Sequence, residues 1–109
     1  MTKERFTELV HELRDMSFET LLTKNSRYGN EDALHNFHRG AEIMGCTAAQ
    51  AALGYMTKHL AALIKMVQTN NFNDLDDVAE KCQDIVNYTI FIWCCANEWQ
   101  DAMREVGIE

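Results

Sequence analysis

Asp74 to Trp99 reads DLDDVAEKCQDIVNYTIFIWCCANEW, and the fold of the chain turns on how this stretch is read. Leu75, Val78, Cys82, Ile85, Thr89, Ile92, Ala96 and Trp99 recur at alternating steps of three and four, the period of a helix with one mainly apolar stripe. The spacing predicts a single long helix. At about 100° per residue, Asp77, Glu80, Asp84 and Asn87 share a different face, which Tyr88 and Phe91 continue. From Ile85 to Ala96 only Asn87 and Thr89 are polar, so carboxylates run directly into surface that a folded chain must cover. That junction is the strongest chemical hint in the sequence.

Working outward, residues 69–73 (TNNFN) form a loop, and Asp74 caps the long helix with Asp77 three residues on. Before the loop, Thr47 and Gln50 have the spacing of a capping box for a helix running to about Gln68. Its apolar stripe is Leu53, Met56, Leu60, Leu63, Ile64 and Val67, expected to face the core. The small residues Ala51, Ala52, Gly54, Ala61 and Ala62 permit close packing. Lys58 lies away from that stripe, with Tyr55, Ala62 and Lys65, where a lysine is ordinarily solvated.

Residues 31–44 carry Ala33, Leu34, Phe37, Ala41 and Met44, a short second helix that Gly45 ends. His35 and His38 stand three apart, but nothing nearby completes a zinc set, and two polar residues beside Phe37 are the simpler expectation. Residues 3–24 form a first amphipathic helix through Phe6, Leu9, Val10, Leu13, Met16 and Leu21. It is expected to end near Asn25, where Asn25, Gly29 and Asn30 favour a turn. The polar stretch 100–109 is expected to fray.

The 109 residues suffice for one domain, 1–109. An apolar fraction of 47%, a mean hydropathy of −0.31 and the absence of proline favour an all-α fold, a compact bundle of about four helices with the long C-terminal one at its centre. From residue 70 onward nine Asp/Glu face only Lys81 and Arg104, and the chain carries a net charge of −7. Such a domain is unsuited to gripping a nucleic-acid backbone. A metal ion, a metal-bridged phosphate or a basic protein partner suits it better. Cys46, Cys82, Cys94 and Cys95 contain no CxxC pair, so reduced thiols in the cytoplasm are the expectation. No apolar signal region or run long enough to span a bilayer is present. Ile90, Phe91, Ile92 and Trp93 project in several directions, which favours a homo-oligomer, expected to be a dimer.

Asp77, Glu80 and Asp84 occupy successive turns, and carboxylates so placed can hold Mg²⁺ that bridges substrate phosphates. Such sites usually draw acids from a second helix, and no acidic residue lies between Glu42 and Asp74. A solvated acidic face near a helix start is the competing reading.

Lys24-Asn25-x-x-Tyr28-Gly29-Asn30, then Asn36-Phe37, Met56-x-Lys58 and Glu80-x-x-x-Asp84-x-x-Asn87-Tyr88 together cover roughly residues 18–95. This pattern resembles the phage and prophage nucleotide modification-associated domain family, itself similar to the all-α nucleotide pyrophosphatases of the MazG and dimeric dUTPase type. The resemblance implies an all-helical, dimeric or larger assembly that handles nucleotides. It also implies a pocket lined by Lys24, Asn25, Tyr28, Asn36, Lys58, Asn87 and Tyr88, with Asp77, Glu80 and Asp84 as metal candidates. Thr57 stands where the family has an aspartate, Ala61 where it has an arginine, and the EExxE metal motif is missing.

Two functions follow as expectations. One is a small nucleotide-binding protein of phage type, either a Mg²⁺-dependent pyrophosphohydrolase-like enzyme or an accessory to nucleotide modification. The other is a small acidic phage-encoded inhibitor that acts without catalysis on a basic host protein in the host cytoplasm. The first requires Tyr28 and Asp84 to share one cavity.

Overall fold

The computed structural model describes residues 1–27 and 32–107 and contains four helices: α1 (Lys3–Arg27), α2 (His35–Met44), α3 (Ala48–Gln68) and α4 (Leu75–Glu105). Two local devices set where the long helices begin. Thr47 Oγ1 accepts from the Gln50 backbone N–H at 3.1 Å, while the Gln50 side-chain oxygen accepts from the Thr47 N–H at 2.9 Å. The Asp74 carboxylate accepts from the N–H groups of Asp76 and Asp77 at 3.0 and 3.3 Å. Each cap satisfies donors that the first helical turn otherwise leaves open. At the far end of α2, Gly45 takes the left-handed conformation (φ 66°) that stops a helix.

The boundaries differ from the sequence reading where tertiary contacts intervene. α1 runs to Arg27, beyond the stop expected near Asn25. α2 begins only at His35, because Asp32 folds a turn ahead of it: its carboxylate accepts from the Leu34 N–H at 2.9 Å and its carbonyl from the His35 N–H at 3.1 Å. α4 continues to Glu105, into the stretch expected to fray, with acids in its first turn and Arg104 in its last, both favourable to the helix dipole. The predicted Tyr28-Gly29-Asn30 turn lies outside the described residues.

α4 is the spine. α1 and α3 lie against it, α2 lies against α3, and the bundle measures 50 × 30 × 28 Å. The core gathers Leu34, Phe37, Ala52 and Cys95, with Tyr88, Phe91 and Ile92 packed around them. Phe37, 5% exposed, sits at its centre, with ring centroids 4.6 Å from Phe91, 6.0 Å from Tyr55 and 6.2 Å from Tyr88. On α4, Val78, Cys82, Ile85 and Ile92 of the predicted stripe are half-buried, but Leu75, Thr89, Ala96 and Trp99 are exposed. The most buried positions there are Asn87 and Cys95.

One expectation reverses. Leu53, Leu60, Ile64 and Val67 of α3 are exposed, and the helix packs inward through Ala51, Ala52 and Met66. Alanines let the helix axes approach closely, so the small side faces the bundle and the bulky side faces out. All four cysteines are free, and burial pushes the Cys95 thiol up. Among the described residues no helix is long and apolar enough to cross a membrane.

Truncating the central ring tests this core. Phe37→Ala is expected to cost about 3–5 kcal/mol in denaturant-unfolding free energy, a large part of the total stability of a small domain. A cost below about 1 kcal/mol would place the organising contact elsewhere.

Candidate functional site

Steps of three and four along α4 put Asp84, Asn87, Tyr88 and Phe91 on one side of the spine, facing a cleft of about 850 Å³. The C-terminal part of α1 supplies Thr20, Lys24 and Asn25, α2 supplies His35, Asn36 and Phe37, and α3 supplies Tyr55 and His59. This size lies within the usual range of small-molecule sites, about 300–1,000 Å³.

The cleft has an aromatic wall of Phe37, Phe91, Tyr88 and Tyr55 with polar groups set into it. Tyr55 can lie over α2 because residue 40 is glycine. A Cβ there would stand 2.3 Å from the Tyr55 hydroxyl oxygen. His59 Nδ1 is 3.1 Å from Asp84 Oδ2, and its ring lies 5.0 Å from that of Tyr88. A carboxylate on one ring nitrogen fixes the imidazole's orientation and equips it to exchange a hydrogen bond or proton with a bound molecule. At the rim, the Asn25 amide donates to the Ala33 carbonyl at 3.0 Å and ties the end of α1 to the entry of α2.

Asn87 is the unusual group. It is 8% exposed, lines the cleft, and its Oδ1 is buried without a hydrogen-bond partner among the described residues. An unsatisfied buried amide oxygen costs about 1–3 kcal/mol, a penalty that a donor in the cleft relieves once the side-chain amide turns its oxygen toward it.

Beside the cleft, His38 ties α2 to α4. Its Nδ1 meets Asp32 Oδ2 and its Nε2 meets Glu98 Oε1, each at 2.5 Å. The ligand atoms of these three residues lie within 4.8 Å of one another. The carboxylates grip opposite ring nitrogens, however, which suits a protonated imidazolium. A cation could take only one nitrogen, and only after displacing its proton. The group therefore works as a carboxylate–imidazolium–carboxylate clamp. Hydrogen bonds donated by its ring to Glu98 and then to Asp32 hold His38 above its ordinary value of 6.5. Burial pushes the Asp32 carboxyl up, but its bonds to His38 and to the Leu34 N–H outweigh this and leave it below 3.8.

The structure brings together Lys24, Asn25, Asn36, Asp84, Asn87 and Tyr88 of the predicted site. Lys58 is exposed and does not line the cleft, and Tyr28 lies outside the described residues. The predicted metal ligands disperse. Asp77 pairs with Lys81 at 3.0 Å and holds that ammonium above its usual value, Glu80 is exposed, and Asp84 belongs to His59. Asp77, Glu80 and Asp84 are not among the described groups of three whose ligand atoms lie within 4.8 Å of one another. His59, Asp32 and Glu98 enter the site region without having been singled out in the sequence. No known protein family, curated protein or solved structure matches the chain.

The clamp has a pH signature. A raised histidine contributes stability fully below its unfolded value and loses it as pH rises through the folded value. A lowered aspartate contributes above its unfolded value and loses it as pH falls through the folded one. The stability difference between the wild type and His38→Gln should therefore be largest between pH 3.8 and 6.5 and shrink on the alkaline side, once pH passes the raised His38 value. Urea midpoints measured across pH check this. A difference that grows steadily above pH 6.5 would contradict the clamp.

Proposed function

We propose that the cleft binds a nucleotide and that the protein acts as a small nucleotide-binding module without hydrolysing its ligand. The observation that carries this reading is the buried, unpartnered Asn87 oxygen in an aromatic-walled cleft. A nucleobase offers a flat ring for Tyr88 and Phe91 and an edge N–H for Asn87. Base–aromatic stacking contributes about 1–3 kcal/mol, and the amide contact removes an existing penalty.

Lys24 and Arg39 line the same cleft and supply positive charge for a phosphate in a chain that is otherwise acidic. His59, oriented by Asp84, is available to a sugar hydroxyl or a second base edge. The resemblance carried by Lys24-Asn25, Asn36-Phe37 and Asp84-x-x-Asn87-Tyr88 supports the same ligand class. The dispersal of Asp77, Glu80 and Asp84 favours binding over metal-assisted attack on phosphorus.

Calorimetric titration with a panel of ribo- and deoxynucleoside mono- and triphosphates tests the proposal. At least one is expected to bind, and Asn87→Leu is expected to weaken it by about tenfold or more. The same substitution removes an unsatisfied buried oxygen and should leave the melting temperature unchanged or raise it by a few degrees. Failure of the folded wild type to bind any member of the panel would overturn the reading.

A further inference from the structure

Among the described residues the charged groups that line the cleft are Lys24, Arg39, Asp32 and Asp84. The two acids are already engaged: Asp84 Oδ2 lies 3.1 Å from His59 Nδ1, and the His38 imidazolium neutralises Asp32. The two cations are not. Lys24 pairs with no acid among the described residues. Arg39 meets only Glu42, at 3.5 Å, in an exposed pair of the kind that contributes little. Both cations are exposed, whereas Asn87 is buried and Tyr88 and Phe91 are half-buried, so positive charge sits at the mouth and the aromatic wall lies inside.

This charge suits one phosphate group and not a chain of three. A phosphate monoester carries about −1.5 to −2 at pH 7, which Lys24 and Arg39 together can balance. Further phosphates would find no cation among the described lining residues. On α4, Glu80 and Asp77 continue the Asp84 side, roughly 6 and 10 Å along the axis. Their field reaches the cleft within about one Debye length and opposes added negative charge. A divalent cation could offset it, but Asp84 is engaged with His59 and Asp77 with Lys81, so such an ion would have to displace a partner or rely on Glu80, which does not line the cleft.

We infer that the cleft selects a nucleoside monophosphate over both the unphosphorylated nucleoside and the triphosphate, with the base inward against Tyr88, Phe91 and Asn87 and the single phosphate at the mouth, met by Lys24 and Arg39. The inference rests on the nucleotide reading above and narrows it to one phosphorylation state. Selection against the nucleoside comes from the two cations, and selection against the triphosphate from the lack of further cations and the neighbouring acids.

Calorimetric titration of the full-length chain with adenosine, guanosine, cytidine and uridine, and with the 5′-mono- and triphosphate of each, tests this at about 0.15 M salt, once with EDTA and once with Mg²⁺. In the base series that binds tightest, the monophosphate is expected to bind about tenfold tighter than the nucleoside and about fivefold or more tighter than the triphosphate, with or without Mg²⁺. Lys24→Gln should weaken the monophosphate about fivefold or more, while Lys58→Gln, which removes the same charge away from the cleft, should leave it unchanged. If Lys24→Gln loses its helical circular-dichroism spectrum, Arg39→Gln decides in its place. A triphosphate or a nucleoside that binds as tightly as the monophosphate, or equal weakening by the cleft and Lys58 variants, would overturn this inference and leave the nucleotide reading standing. Failure of every series to bind would overturn both.

Discussion

The structure depends on one contact more than any other, the Phe37 ring against Phe91 at 4.6 Å. α2 has only ten residues, too few to hold a helical conformation in water without tertiary support. The aromatic contact anchors it to α4, and the Asp32–His38–Glu98 clamp secures the same pair of elements by charge. With α2 held there, its near side and the faces of α1, α3 and α4 close around a cleft. Without it, Tyr88 and Asn87 would lie on an open helix surface.

A bundle with few buried side chains can ill sustain unsatisfied polar groups among them, yet Asn87 Oδ1 and Ser17 Oγ are both buried without a partner among the described residues. Domain stability is a small remainder of large opposing terms, commonly about 5–15 kcal/mol, so a penalty of ~1–3 kcal/mol is substantial. Such penalties persist where a group serves binding rather than folding. His59 and Asp84 follow a related logic, since a carboxylate spent on orienting an imidazole beside a tyrosine ring adds little to packing but makes the cleft chemically directed. The two faces of α3 differ: one side closes the cleft, and the other is exposed.

What could be read in the sequence was what is decided locally. The Thr47–Gln50 box, the Asp74 cap and the Gly45 stop need only neighbours within a few residues, and all three are present as expected. The shared face of Asp84, Asn87 and Tyr88 was legible in the periodicity of α4, and Lys24, Asn25 and Asn36 line the same cleft. The outward turn of Leu53, Leu60, Ile64 and Val67 was not, because helical spacing tells which residues share a face and not which face a neighbour covers. Here the alanine side won by permitting closer approach. His59 was missed for a similar reason. It is one residue from Lys58, about 100° around the helix, and only the position of α4 makes it the one that reaches Asp84. The acidic triplet lies on one helix as expected, but Asp84 pairs with His59 of α3 and Asp77 with Lys81 at i,i+4.

The most direct measurement of the central claim, that the cleft around Asn87 receives a ligand, is a two-dimensional ¹H–¹⁵N spectrum that follows the Asn87 side-chain amide during titration with a nucleoside monophosphate. This amide and the backbone signals of Lys24, Asn36 and Tyr88 are expected to shift together and saturate at one ligand per chain. Saturating shifts confined to residues away from the cleft, with the Asn87 amide unmoved, would contradict it.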